Sequence, residues 1–91
     1  MRLNVDLERG EAWAGRNRVP RLTYTELRAL VRLIRGDTVS RGALLLAACP
    51  RRSPAEAGAS RKVDMAVARL RAKLAKVGVR IRAVPGEGYR I

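Results

Sequence analysis

The chain has 91 residues, enough for one domain, and is 47% hydrophobic with no Phe, so it is not disordered and its core must be aliphatic. Lys and Arg number 20 against 8 Asp and Glu, a net charge of +12 whose self-repulsion calls for a polyanionic partner: nucleic acid, an anionic membrane or an acidic protein. The absence of His and the single Cys49 remove the commonest general base, an intrachain disulfide and a Cys-rich zinc site.

In chain order, the first segment reads as short strands. Leu3, Val5 and Leu7 alternate with polar residues. Glu8-Arg9-Gly10 is a turn before Ala12-Trp13-Ala14, and Gly15-Arg16-Asn17 is a second turn before Val19 and Leu22. Pro20 has no N–H to donate, so the third strand is an edge or is irregular. Trp13 is expected to pack in this sheet, since one Trp without aromatic neighbours makes a poor stacking platform for single strands.

A first helix begins at Thr23, whose spacing to Glu26 is that of a capping box. Its expected apolar stripe is Leu27, Leu30, Val31 and Ile34, and Gly36-Asp37 end it. A second helix opens at Val39-Ser40, with Ser40 as N-cap. The near-continuous apolar run from Ala43 to Cys49 predicts that this helix is short and well buried, and Pro50 stops it. Cys49 reads as a small buried hydrophobe rather than a redox sensor. Residues 50–60 carry two Pro and a Gly and read as an exposed loop.

The third helix carries the strongest signal. Val63, Val67, Leu70, Leu74 and Val77 form one apolar stripe, and Arg61, Lys62, Arg69, Lys73 and Lys76 largely occupy other faces. Gly78 suits its C-terminus. The tail then alternates as Val79, Ile81 and Ala83 with Arg80 and Arg82, turns at residues 85–88 and returns through Tyr89, which is expected to pack the hairpin on the third helix. Residues 61–91 carry +7, against +5 in the first sixty.

The order of elements is that of an α+β winged helix-turn-helix in a single domain: strands over 1–22, three helices over 23–78 and a wing hairpin over 79–91. No Ser-His-Asp set, P-loop or carboxylate pair is present, so no enzyme and no cofactor are expected. Gly86-x-Gly88 falls in a hairpin turn, not between a strand and a helix, and is not a phosphate loop. No run approaches the ~20 apolar residues of a membrane span and no signal peptide is visible, so a cytoplasmic, nucleoid-associated location is expected.

Several motifs together resemble the OmpR/PhoB-type winged-helix output domain of bacterial response regulators. They are Leu22-Thr23-x-x-Glu26-Leu27, the Val39-Ser40 helix start, Arg61-x-Val63-Asp64 through Arg69-Leu70-Arg71-x-Lys73-Leu74, and Ile81-x-x-Val84-x-Gly86-x-Gly88-Tyr89-Arg90. The resemblance covers nearly the whole chain. It implies an N-terminal antiparallel sheet, a third helix that reads the DNA major groove, a loop before that helix that can touch RNA polymerase, and protomers set head-to-tail on direct repeats. The chain is expected to depart from the pattern as a free-standing domain without a receiver, and its sheet reads one strand short. Its 50–60 loop differs from the usual one, and Pro85 stands where the family often has Arg.

The function expected is sequence-specific double-stranded DNA binding in transcription regulation, with the third helix, about 61–77, in the major groove and the wing near the backbone or minor groove. Arg69 is the candidate for guanine O6 and N7, and Met65 and Ala66 for a thymine methyl. Arg61 and Lys62 are candidates for phosphates near the helix start, and Arg41 for a phosphate from the second helix, where Thr38 and Ser40 offer hydroxyls. Arg71 and Lys73 fit either a phosphate contact or a surface ion pair, and Arg80, Arg82 and Arg90 complete the basic set. Asp64 is expected to act locally, on the helix N-terminus or on a neighbouring Arg. Arg51, Arg52 and Glu56 are candidates for a partner-binding loop. Two alternatives stay open: an RNA polymerase- or regulator-binding interaction protein, and a nucleoid-type binder without sequence preference. A membrane role is disfavoured because the third helix needs its apolar stripe for the core.

Overall fold

The structure, a computed structural model, describes residues 3–50 and 58–91. The loop candidates Arg51, Arg52 and Glu56 lie outside the described residues. The chain runs β1 (Leu3–Asp6), β2 (Glu11–Ala14), β3 (Asn17–Arg18), α1 (Tyr24–Leu33), α2 (Arg41–Ala48), α3 (Ala59–Ala75), β4 (Arg82–Val84) and β5 (Gly88–Arg90).

β1 and β2 pair antiparallel with Leu3 opposite Ala14 and Asp6 opposite Glu11. Gly15, at φ +60, begins the two-residue turn into β3, a first-position glycine that suits the twist of a tight hairpin. β3 is a two-residue edge strand, continued by the Val19 N–H to the Ala12 carbonyl (2.9 Å). Pro20 then stops the ladder, as its missing N–H requires. Ala12 and Ala14 face the core, with Leu3 and Val5 packed beside them. The pleat therefore turns Trp13 to the outer face, 37% exposed, rather than into the packing. Leu7 belongs to the turn and is exposed.

Thr23 caps α1 with both halves of the capping box. Thr23 Oγ1 accepts from the Glu26 N–H (3.2 Å), and Glu26 Oε1 accepts from the Thr23 N–H (3.0 Å). Leu27, Ala29, Leu30 and Leu33 make the buried face. Ile34, placed in the apolar stripe by its spacing, is instead the C-cap residue and is exposed. The helix ends at Leu33, so the periodicity that would carry Ile34 inward no longer applies.

Ser40 caps α2, its Oγ accepting from the Ala43 N–H (3.1 Å). Of the apolar run only Leu44 and Leu45 are buried, and Leu46 is 52% exposed. The expectation of a well-buried helix was too strong: α2 packs against α1 and α3, and its remaining side faces outward. On α3, Val63, Val67, Leu70 and Leu74 are buried as their spacing predicts. Burying each such Leu contributes on the order of 2 kcal/mol. Gly78, at φ +77, reverses the chain, and the Val79 N–H returns to the Leu74 carbonyl (3.0 Å).

β4 and β5 form the wing hairpin, with Arg82 opposite Arg90 and Val84 opposite Gly88. The wing docks through an antiparallel bridge between Val39 and Tyr89, which exchange N–H···O bonds of 2.8 and 2.9 Å. This bridge ties the wing to the residue that precedes the α2 cap, so α2, α3 and the wing share one framework. No helix among the described residues is long and apolar enough to cross a membrane.

Candidate nucleic-acid interface

With Val63, Val67, Leu70 and Leu74 turned inward, the helical period sets the opposite face of α3. That face carries Arg61, Met65, Ala68, Arg69, Ala72 and Lys76, all exposed. The mixture is three cations, a flexible thioether and two alanines. Ala68 and Ala72 keep the helix surface low, so its backbone can approach a groove floor. Neither alanine nor Lys76 was among the sequence candidates, although each lies three or four residues from one that was.

Three candidates leave this face. Ala66 is half-buried and lines a narrow apolar gap with Ala29, Leu44, Leu45, Val63 and Val67. Lys62 borders the same gap with its side chain exposed. Lys73 turns toward α1, where its Nζ lies 2.8 Å from Glu26 Oε1. Glu26 is 2% exposed. Burial alone would raise its carboxyl, but Lys73 and the Thr23 cap outweigh that and hold it below the ordinary value. Of the two readings of Lys73, the ion pair is the one the structure supports, although the partner is a buried carboxylate rather than a surface one.

A second cluster forms beside α3. The Asp64 carboxylate accepts from Arg41 Nε at Oδ1 (3.0 Å), from Arg41 Nη2 at Oδ2, and from the Tyr89 hydroxyl at Oδ1 (2.8 Å). The Arg71 guanidinium lies 6.0 Å from the centroid of the Tyr89 ring. Arg41, doubly bonded to Asp64, pulls the Asp64 carboxyl below its ordinary range, while burial and the bond to Asp64 push the Tyr89 hydroxyl up. At neutral pH Asp64 is therefore an anion and Tyr89 a donor. Tyr89 does pack the hairpin on α3, as expected, through its hydroxyl and ring together.

The wing arginines lie elsewhere. Alternation along β4 and β5 puts Arg82 and Arg90 on the hairpin face opposite Tyr89. With Arg80, Leu3 and Ile91 they border an open cleft at the base of the wing. Arg90 Nη2 donates to the Gly36 carbonyl (2.9 Å), bracing the wing on the turn after α1. The structure thus brings Arg61, Met65 and Arg69 onto one surface with Arg41 and Arg71 beside it. Arg80, Arg82 and Arg90 form a separate group.

The model of the family described as transcriptional regulatory protein, C terminal, matches residues 17–91. A search among curated proteins finds no match. Among solved structures, the chain is similar to the DNA-binding domain of the response regulator AdeR in complex with an intercistronic region. The identity is 26% and the TM-score 0.79, over 100% of this chain and 94% of that one. The Klebsiella pneumoniae RstA DNA-binding domain in complex with the RstA box is 30% identical with a TM-score of 0.73, over 98% and 89%. A streptococcal redox sensor evolved from two-component response regulators is 28% identical with a TM-score of 0.78; this chain is covered completely and spans 39% of that longer protein.

Proposed function

The chain belongs to the family of transcriptional regulatory protein C-terminal domains, sequence-specific DNA-binding modules of transcription regulators, and from that premise we propose that α3 enters the major groove by the face bearing Arg61, Met65, Arg69 and Lys76. The observation that carries this reading is the composition of that face: exposed cations interleaved with small side chains, opposite a complete apolar stripe. In it, Arg69 pairs with a guanine edge, Met65 packs on a base, and Arg61 and Lys76 take phosphates at either end. Arg41 takes a phosphate from the start of α2. Lys73 and the Arg80, Arg82 and Arg90 group fall outside the contact set, because their side chains are directed to other partners or lie on another face. The role is one of binding, with no catalytic step.

The test is selection of sheared genomic DNA by the purified protein at near-physiological salt, followed by sequencing, with Arg69→Ala in parallel. A shared motif is expected, and Arg69→Ala should weaken binding to it by about 1–3 kcal/mol while relaxing preference at one base pair. With about six phosphates neutralised, log K should fall against log salt with a slope of ~ −5. Two copies of the motif at one fixed spacing would report pairing of protomers on direct repeats. Uniform recovery of unrelated duplexes would overturn the sequence-reading role in favour of a non-specific binder. No retained DNA at all would point to a protein partner such as RNA polymerase.

A further inference from the structure

Asp64 is an acid on a helix whose other charged side chains among the described residues are all basic. If attraction to a polyanion were the only requirement, an anion here would weaken it. The helix N-terminus does not account for Asp64, because it lies beyond the first turn of α3, where the favourable helix-end field has fallen off. Both of its oxygens are engaged, and by two other elements: Arg41 from α2 and Tyr89 from β5.

The geometry of Arg41 gives this arrangement a consequence. A guanidinium is a planar fork of five N–H donors. Nε and Nη2 grip Asp64, which fixes the plane of the group. The two Nη1 hydrogens and the second Nη2 hydrogen are not used by Asp64, and the side chain is 50% exposed. Held by one edge, Arg41 offers the other without the rotamer search that a free arginine undergoes, and a pre-oriented fork suits a phosphate. Tyr89 is fixed in the same stroke by its hydroxyl, by the Val39 backbone bridge and by Arg71 against its ring.

We propose that Asp64, together with Tyr89, is a positioning residue for DNA recognition: it orients Arg41 as a clamp on one phosphate and holds α2, α3 and the wing in a single reading geometry, without touching DNA itself. The proposal rests on the DNA-binding reading above. It makes a prediction opposite in sign to bulk electrostatics. Asp64→Asn adds one unit of positive charge, which by itself strengthens binding to any duplex. Loss of positioning instead weakens binding to the correct site.

The experiment is a salt titration of Asp64→Asn by fluorescence anisotropy on two duplexes of equal length, one carrying the motif recovered by genomic selection and one unrelated. The expected result is about tenfold weaker binding to the motif duplex, the loss of one charge-assisted contact. Binding to the unrelated duplex should be unchanged or tighter, and the slope on the motif duplex shallower by about 0.9, one phosphate. In an Arg41→Gln background Asp64→Asn should weaken binding to the motif duplex no further. Should Asp64→Asn fail to fold, Tyr89→Phe removes a single hydrogen bond and is expected to weaken the motif complex about threefold in the same selective manner. Motif binding as tight as wild type with the slope intact would overturn the proposal. So would equal weakening on both duplexes with a lowered Tm, which would mark Asp64 as merely structural. A wild-type protein that prefers no motif removes the DNA-reading premise itself, an outcome distinct from a wild-type preference that Asp64→Asn leaves untouched.

Discussion

Gly88→Ala is expected to destabilise the protein by about 4 kcal/mol, a large share of the ~5–15 kcal/mol that holds a small domain together. Gly88 has φ +145, a region that side-chain-bearing residues rarely enter. An added Cβ would lie 2.7 Å from the Val39 carbonyl carbon and 2.8 Å from Ser40 Cα, with the Val39 oxygen nearer still. Those atoms are backbone, so no side chain can swing away to make room. Relief requires β5 to move off Val39, which breaks both hydrogen bonds of the Val39–Tyr89 bridge and draws Tyr89 from Asp64. Gly86→Ala is the matched control. Gly86 has φ +74 and nothing within 4 Å of the added atom, so only the left-handed backbone is penalised, at about 1–2 kcal/mol. Urea unfolding followed by circular dichroism measures both. Equal midpoints for the two variants would mean that the wing does not depend on its close approach to Val39.

Lys73→Met is expected to be the other large effect, and on stability rather than on DNA. Glu26 is buried, and Lys73 is the cation that faces it. Its second oxygen, Oε2, is buried with no donor among the described residues, so the carboxylate depends on Lys73 and the Thr23 cap. Removing the cation leaves a buried charge uncompensated, at a cost of about 3 kcal/mol. Glu26→Gln should remove most of that sensitivity, since Gln still completes the capping box; in that background Lys73→Met should cost little. The pH dependence follows from the depressed Glu26 value. In the wild type the stabilisation is complete above the ordinary glutamate range near ~4.3 and is lost as pH falls through the lower folded-state value. In Lys73→Met the lowering by Lys73 is lost while the burial remains, so the penalty on the charged carboxyl is relieved by protonation and the gap between the two proteins narrows in acid. Thermal melts from neutral pH to about pH 3 read this directly. A constant gap would remove Glu26 as the partner that matters. A shallower DNA salt slope with unchanged Tm would return Lys73 to the phosphate-contact set.

Most of the fold was legible in the sequence because each element announces itself locally. The capping box at Thr23 and Glu26, the cap at Ser40 and the alternation in β1 and β2 act over a few residues, and the structure realises each of them. The stripe on α3 was equally plain, because four apolar residues at steps of three and four leave one buried face. Where local pattern misled, an element boundary or a neighbour was responsible. Ile34 continued the period past the point at which α1 stops, and Leu46 sat in an apolar run longer than the surface available to cover it.

The candidate interface divided along the same line. Net charge, the basic third helix and the motif order are properties of the sequence, and they determined the class of partner and the helix proposed to meet it. Which cations face outward depends on what each side chain meets across the core. Lys73 and Arg69 are both basic and lie four residues apart on one helix, yet the helix leaves Arg69 exposed while turning Lys73 to a carboxylate 47 positions away in the chain. Asp64 gives the same lesson in reverse: in the sequence it is a lone acid in a basic helix, and only the packing of α2 and β5 against α3 brings Arg41 and Tyr89 to it. Periodicity and capping operate over a single turn and can be read from neighbours in the chain, whereas charge pairing across a core and the clearance at Gly88 arise only when distant segments are brought to van der Waals contact.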